Sequence, residues 1–209
     1  MKDVPYHGNP GNACALACYT MSARYLLPKE DITFENFGKL ANWKKGYVIW
    51  AFPIWKWLMD KGVKIDDYDT VDYSLWAKEG TKGLRKSLPP KAFKFVKDNT
   101  YDLDEVSKQA VLALDYPNFK YTKCHVTWEM IVKETSKPGI CEVGLDGRML
   151  HRKEGFTLHR VVLIEINDKE VIFHDPTFEN DGAYKREPVD FFRKCVESVV
   201  DTELCRYYL

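Results

Sequence analysis

Six cysteines and five histidines sit in this chain, so six times five gives 30 possible thiol–imidazole pairs, and position has to select among them. Cys14 stands where an irregular segment, Gly8-Asn9-Pro10-Gly11-Asn12, gives way to a run that reads as helix. At such a junction the unpaired first-turn amides and the helix dipole stabilise a thiolate, which is the nucleophilic form of cysteine. The same N–H groups can receive an oxyanion. A buried structural cysteine beside small alanines is the alternative at this position. Cys18, Cys124, Cys141, Cys195 and Cys205 have no comparable setting and read as small apolar packing residues. With no Cys-x-x-Cys pair and no dense cysteine framework, neither metal ligation nor disulfides are expected.

A hairpin selects the histidine. Residues 157–166 and 170–174 are rich in Val, Ile and Phe and flank Asn167-Asp168-Lys169, a plausible turn. A three-residue turn centred on Asp168 sets His159 opposite Thr177 and diagonal to Asp175. Both numbers are odd, so both side chains share one face. A carboxylate there can hold one imidazole nitrogen and leave the other to take a thiol proton. The alternative is that Asp175-Pro176 only ends the strand. His174 has the opposite parity and is expected to face away. His125 adjoins Cys124, but neighbours along a strand point to opposite faces. His151 falls in the polar stretch 146–154, which reads as an exposed loop with surface residues. His7 precedes the glycine-rich segment and has a solvated or substrate-facing setting.

The elements that must carry these groups differ along the chain. Residues 14–27 form an almost uncharged run stopped by Pro28, as expected of a helix buried on every side. A second helix is predicted from Pro53, carrying Ile54, Trp57 and Leu58 inward and ending at Gly62 in the C′ position, before a short strand at 63–65. Residues 70–125 turn charged and helical, with segments at 73–78, 83–87, 91–97 and 103–114, and read as a helical insertion or cap. Thr127 is placed to cap a helix over 128–135 that Pro138-Gly139 ends. Strands follow at 140–145, 157–166 and 170–174, and a closing helix spans 189–199. Helices first and sheet last give an α+β class. No repeat or linker divides the chain, which reads as one domain over 1–209.

Composition removes several roles. The 209 residues carry 31 Lys plus Arg against 31 Asp plus Glu, so no basic excess draws the chain to nucleic acid or a membrane surface. At 45% hydrophobic and 14% aromatic the sequence is too apolar for disorder. Its apolar runs fall well short of the roughly 20 residues of a bilayer crossing. The start, Met1-Lys2-Asp3-Val4-Pro5, lacks the apolar core of a secretory signal, and a cytoplasmic protein is expected.

Val4-Pro5-Tyr6-His7 followed by Cys14-Ala15-Leu16-Ala17-Cys18-Tyr19-Thr20-Met21 resembles the opening of bacteriocin-leader-processing peptidases and their stand-alone relatives in the papain superfamily. Leu158-His159-Arg160-Val161-Val162-Leu163 and Ile172-Phe173-His174-Asp175-Pro176 resemble that family's histidine strand and its Asp-Pro strand end, in the same Cys, His, Asp order. A looser likeness runs from Gly62 to Gly80. The resemblance implies a papain-like fold with no cofactor and no metal, in which Cys14 is the nucleophile, His159 the general base and then acid, and Asp175 the orienting residue. Two positions depart from the family pattern. Ala15 replaces the usual glycine after the nucleophile, and the glutamine that supplies an oxyanion-hole amide is absent, with Asn9 its nearest equivalent. Asn9 offers the same donor on a side chain one methylene shorter. The implied activity is a cysteine peptidase or amide hydrolase acting on a peptide or amide. The competing readings are an acyl or peptidyl transferase with the same triad, a non-catalytic papain-like binding module, and a zinc-stabilised or redox protein.

Overall fold

The uncharged run that begins at Cys14 becomes a helix because it offers thirteen residues without Pro or Gly, and it is buried because almost every side of it is apolar. In the computed structural model, which describes residues 1–9, 13–200 and 202–209, this helix is α1 (Cys14–Leu26), followed by α2 (Phe34–Leu40) and α3 (Phe52–Asp60). Then come β1 (Lys64–Asp69), α4 (Tyr73–Glu79), α5 (Thr81–Ser87), α6 (Pro90–Asn99), α7 (Leu103–Leu114) and β2 (Phe119–Lys123). The second half holds α8 (Trp128–Thr135), β3 (Ile140–Asp146), the single turn α9 (Gly147–Leu150), β4 (Leu158–Ile166), β5 (Glu170–His174), β6 (Lys185–Pro188), α10 (Val189–Glu197) and β7 (Leu204–Tyr208). The class is α+β.

Local signals account for most boundaries. Thr127 accepts a hydrogen bond from the Met130 N–H and so caps α8. Gly62, with φ +87°, takes the left-handed conformation just beyond α3. Within α3 the inward residues are Ile54, Trp55 and Leu58. Trp57, expected inward, is only half-buried against Phe37, because Trp55 rather than Trp57 points at the sheet and bonds the Tyr207 hydroxyl.

One seven-stranded sheet runs β2-β1-β7-β3-β4-β5-β6. The β1–β2 pair is parallel and every other pair antiparallel. The sheet therefore does not all come last in the chain. Within the segment read as a helical insertion, Phe119–Lys123 returns as the edge strand β2, and the last residues, for which no element was expected, form the interior strand β7. Helix α1 packs on β3, β4 and β7 on one face, where Ile140, Val162, Ile164 and Tyr207 join the core built by α1, α3, α4 and α7. Helices α8 and α10 cover the other face over Val143, Val161, Leu163 and Phe173. Among the described residues no helix is long and apolar enough to cross a membrane.

The β4–β5 hairpin sets where His159 stands relative to Asp175. Ile166 pairs with Val171 and Glu165 with Ile172, so the turn is one residue longer than the sequence pattern predicts. A bulge between Leu163 and Glu165 then restores Leu163 to Phe173 and Val162 to His174, the register expected at the His159 end.

Candidate active site

Cys14 is the first residue of α1, and its N-cap, Ala13, makes no side-chain cap. The first-turn N–H groups are therefore not taken up by a capping side chain, and no acidic residue lies in that turn to oppose a thiolate. The helix is tied down beside β4 by Cys18, whose thiol donates to the Arg160 carbonyl at 3.3 Å. In this setting Cys14 is a neighbour of His159. Burial pushes the Cys14 thiol up, but the neighbouring His159 imidazole, with the backbone and guanidinium of Arg160, holds it below the ordinary value.

The histidine is fixed from its other nitrogen. His159 Nε2 lies 2.9 Å from Asp175 Oδ1 and 3.2 Å from Thr177 Oγ1. The Thr177 N–H donates to the same Asp175 oxygen at 2.9 Å. Nε2 is thus engaged, which leaves Nδ1 as the nitrogen available to a thiol. Burial would pull the His159 imidazolium down, yet Asp175 and Cys14 raise it to about 9. Burial likewise would raise Asp175, but the imidazoles of His151 and His159 hold its carboxyl well below the usual carboxylate range. Asp175 is itself anchored by its backbone, since its N–H donates to the Gly182 carbonyl at 2.8 Å and its carbonyl accepts from the Tyr6 hydroxyl at 2.9 Å. Cys14, His159 and Asp175, singled out in the sequence on three different elements, are brought together.

Two contributors to the site were not anticipated. His151, read as a surface residue of a polar loop, sits with its side chain only 17% exposed and its Nε2 2.7 Å from Asp175 Oδ2. The stretch is not an open loop, because Asp146 caps the turn α9 by accepting from the Arg148 and Met149 N–H groups, and His151 closes that turn. Asp146 followed by Gly147 is the one local cue to such a turn. Gly147 lies against His159, and a Cβ there would stand 2.7 Å from the histidine Cβ.

The remaining candidates have other surroundings. Asn9 donates its backbone N–H to the Pro176 carbonyl at 2.6 Å, which sets it beside the Asp175–Thr177 turn. Pro10, Gly11 and Asn12 of the same segment lie outside the described residues. His7 stacks on Phe34 with ring centroids 5.0 Å apart, and burial lowers its pKa. His174 bonds the Val4 carbonyl through Nε2 and receives the Tyr184 N–H on Nδ1, so it is a buried strut between strand and chain start. His125 is exposed. All six cysteines are free thiols.

Behind Cys14 lies a buried charge network. Arg160 Nη1 pairs with Glu142 Oε2 at 3.2 Å and its other amino group with Glu203, while Ser22 of α1 donates to Glu142 Oε1 at 2.6 Å. Among the described residues, His151, His159 and Asp175 are the one set of metal-type donors that converges, with ligand atoms within 4.8 Å of one another. Two imidazoles and a carboxylate suit zinc in kind, but both Nε2 atoms here are at hydrogen-bonding distance from the carboxylate.

Comparison of the chain with protein-family models, curated proteins and solved structures gives no match.

Proposed function

We propose that this chain is a cysteine peptidase or related amide hydrolase of papain-like architecture, with Cys14 as nucleophile, His159 as general base and acid, and Asp175 as the residue that orients the imidazole. One observation supports this above all others: a thiol at an uncapped helix start, beside an imidazole that favours its thiolate and that is itself held through Nε2 by a buried carboxylate. A helix start and a hairpin more than 130 residues further along the chain meet there.

In the proposed reaction the Cys14 thiolate attacks the carbonyl carbon of an amide and forms the C–S bond of a tetrahedral intermediate. Its oxyanion is received by first-turn N–H groups of α1, with the Asn9 amide as the side-chain donor in place of a glutamine. The His159 imidazolium gives its Nδ1 proton to the leaving nitrogen as the C–N bond breaks, leaving a thioester. Water then adds, His159 takes its proton, and the thiolate leaves with the C–S electron pair, regenerating the starting site. An amine or thiol in place of that water makes the same machinery a transferase.

Alkylation with iodoacetamide across pH, with peptide mapping, tests the proposal. Cys14 is expected to label first, with an inflection well below the free-thiol value of about 8.5, and His159→Ala is expected to slow it. Cys124, half-buried like Cys14 but with a thiol pushed up by burial, is the internal control. Labelling of Cys14 no faster than Cys124 overturns the proposal.

A further inference from the structure

Asp175 is approached by imidazoles from both sides. Its carboxylate is nearly without solvent contact, 2% exposed, and its two oxygens are divided: Oδ1 receives the Thr177 N–H and faces His159 Nε2, whereas Oδ2 faces His151 Nε2 at 2.7 Å. An ionised carboxylate only accepts, so the His151 nitrogen that meets it carries a hydrogen. The His151 ring is not free to choose another direction. Its backbone closes α9, with its N–H on the Gly147 carbonyl at 3.1 Å, and its ring stands edge-on to Phe178 with centroids 5.4 Å apart. The titratable groups facing this ring are Asp175 and His159, the latter with ring centroids 5.9 Å away.

We infer that His151 is a positioning residue for the proposed Cys14–His159–Asp175 site, donating from Nε2 to Asp175 Oδ2 so that the carboxylate is clamped at both oxygens and its Oδ1 stays aimed at His159. This rests on the reading of that site as catalytic. The Oδ1 contacts alone leave the carboxylate able to pivot about its Cα–Cβ and Cβ–Cγ bonds, and with Oδ2 unpaired in a closed site the pivot is favoured, because a buried acceptor without a donor is costly. The second imidazole removes that freedom. Its partly exposed edge also leaves it nearer to solvent than His159 or Asp175, so it can be replaced with little disturbance to the core.

Glutamine and asparagine separate a donor at this place from mere bulk. The glutamine amide nitrogen falls close to the position of a histidine Nε2, and the asparagine nitrogen close to Nδ1, while both residues are neutral and polar. Iodoacetamide alkylation of Cys14 in the full chain is measured for His151→Gln, His151→Asn and His151→Leu, with melting temperatures alongside. The expected result is a rate within about twofold of the unaltered chain for His151→Gln. For His151→Asn and His151→Leu, loss of a charge-assisted hydrogen bond gives a slowing of roughly 10- to 100-fold at neutral pH, with the inflection moved up towards about 8.5. Asparagine and glutamine variants with matching melting temperatures exclude a folding defect as the cause. If His151→Asn and His151→Leu label Cys14 like the unaltered chain, or His151→Gln is as slow as His151→Asn, the inference fails while the proposed triad stands. If Cys14 of the unaltered chain has no lowered inflection, both fall. Elemental analysis is the last arm: one zinc per chain that is lost in His151→Gln makes the imidazole a metal ligand and overturns the inference, and a metal-free chain with the lowered inflection supports it.

Discussion

Replacing Gly147 by alanine puts a methyl group against the side chain of His159. The added Cβ would lie 2.7 Å from His159 Cβ and 3.2 Å from its Cγ, with the Thr157 carbonyl next at 3.5 Å. Carbon atoms make their best contact at about 3.5–4.0 Å, so His159 and the α9 turn have to separate by about 1 Å. Gly147 does not sit in the left-handed region, and alanine suits the first position of a helical turn, so the backbone itself does not resist the change. The whole effect is a displacement of His159 from Cys14 and Asp175. A misplacement of about 1 Å costs a reacting pair on the order of 100-fold in rate. Overpacking of this kind costs about 1–3 kcal/mol, which in a chain of this size lowers the melting temperature by about 2–12 °C and leaves the protein folded at room temperature. The assay is the pseudo-first-order rate of iodoacetamide labelling of Cys14, with circular dichroism melts. The buried thiols Cys18 and Cys205 serve as reporters, since their labelling would betray unfolding. Gly144→Ala is the control on the neighbouring strand, because a Cβ there meets nothing closer than 3.6 Å. Cys14 labelling in Gly147→Ala at the rate of Gly144→Ala refutes the claim that the placement of His159 governs the thiol.

Two further outcomes come from the buried charges around Arg160. Arg160→Met leaves Glu142 and Glu203 without their guanidinium and is expected to cost about 3–5 kcal/mol in denaturant unfolding; part of this returns in the double variant with Glu142→Gln, and a strictly additive pair contradicts the coupling. Burial pushes the Glu142 carboxyl up to about 7 against the pull of Arg160 and Ser22, while an unfolded glutamate titrates near 4.5. Between those values the native state binds more protons than the unfolded one, so this group's stabilisation is complete below about 4.5 and is lost as pH rises through about 7. Glu142→Gln is expected to flatten the fall in melting temperature between pH 5 and 8 only in part, because burial also pushes Asp69 up to about 7. An unchanged pH slope in the variant would count against the assignment.

The meeting of His159 with Asp175 was legible where chemistry and periodicity coincide. Strand parity puts residues 159, 175 and 177 on one face, and the observed contacts of His159 with Asp175 and Thr177 have that arrangement. The agreement came through two departures that cancel. The turn is one residue longer than Asn167-Asp168-Lys169 alone implies, and the bulge after Leu163 takes up the difference. A slip of one without the other would have turned His159 away from Asp175, since adjacent strand residues face opposite sides. The hairpin is therefore under a constraint that neither its turn residues nor its Val and Ile content expresses, namely that the error at one end be undone before the histidine is reached.

What stayed hidden, the strand β7 and the role of His151, depends on partners that lie elsewhere in the chain. β7 escaped because its five residues are covered on both faces, so the alternation that marks a half-buried strand is absent. Its Arg206 looks solvent-facing in sequence, yet it is buried against Asp66 of β1 and Glu134 of α8. His151 escaped for the same reason, amid Arg148, Arg152 and Lys153, because its acceptor is 24 residues onward. The polarity of 146–154 correctly marks a connection at the sheet's rim, and the rim is where a site built between a helix start and strand ends has to lie. Polar residues at such a rim divide into those that face water and those that face the site, and only the fold assigns each one. The single-turn helix α9 makes that division here: it sends the Arg152 guanidinium outward to Glu187 and turns the preceding His151 inward to Asp175. An imidazole and a guanidinium on adjacent residues thus serve opposite sides of one turn, and a hydropathy pattern that scores both as polar cannot separate them.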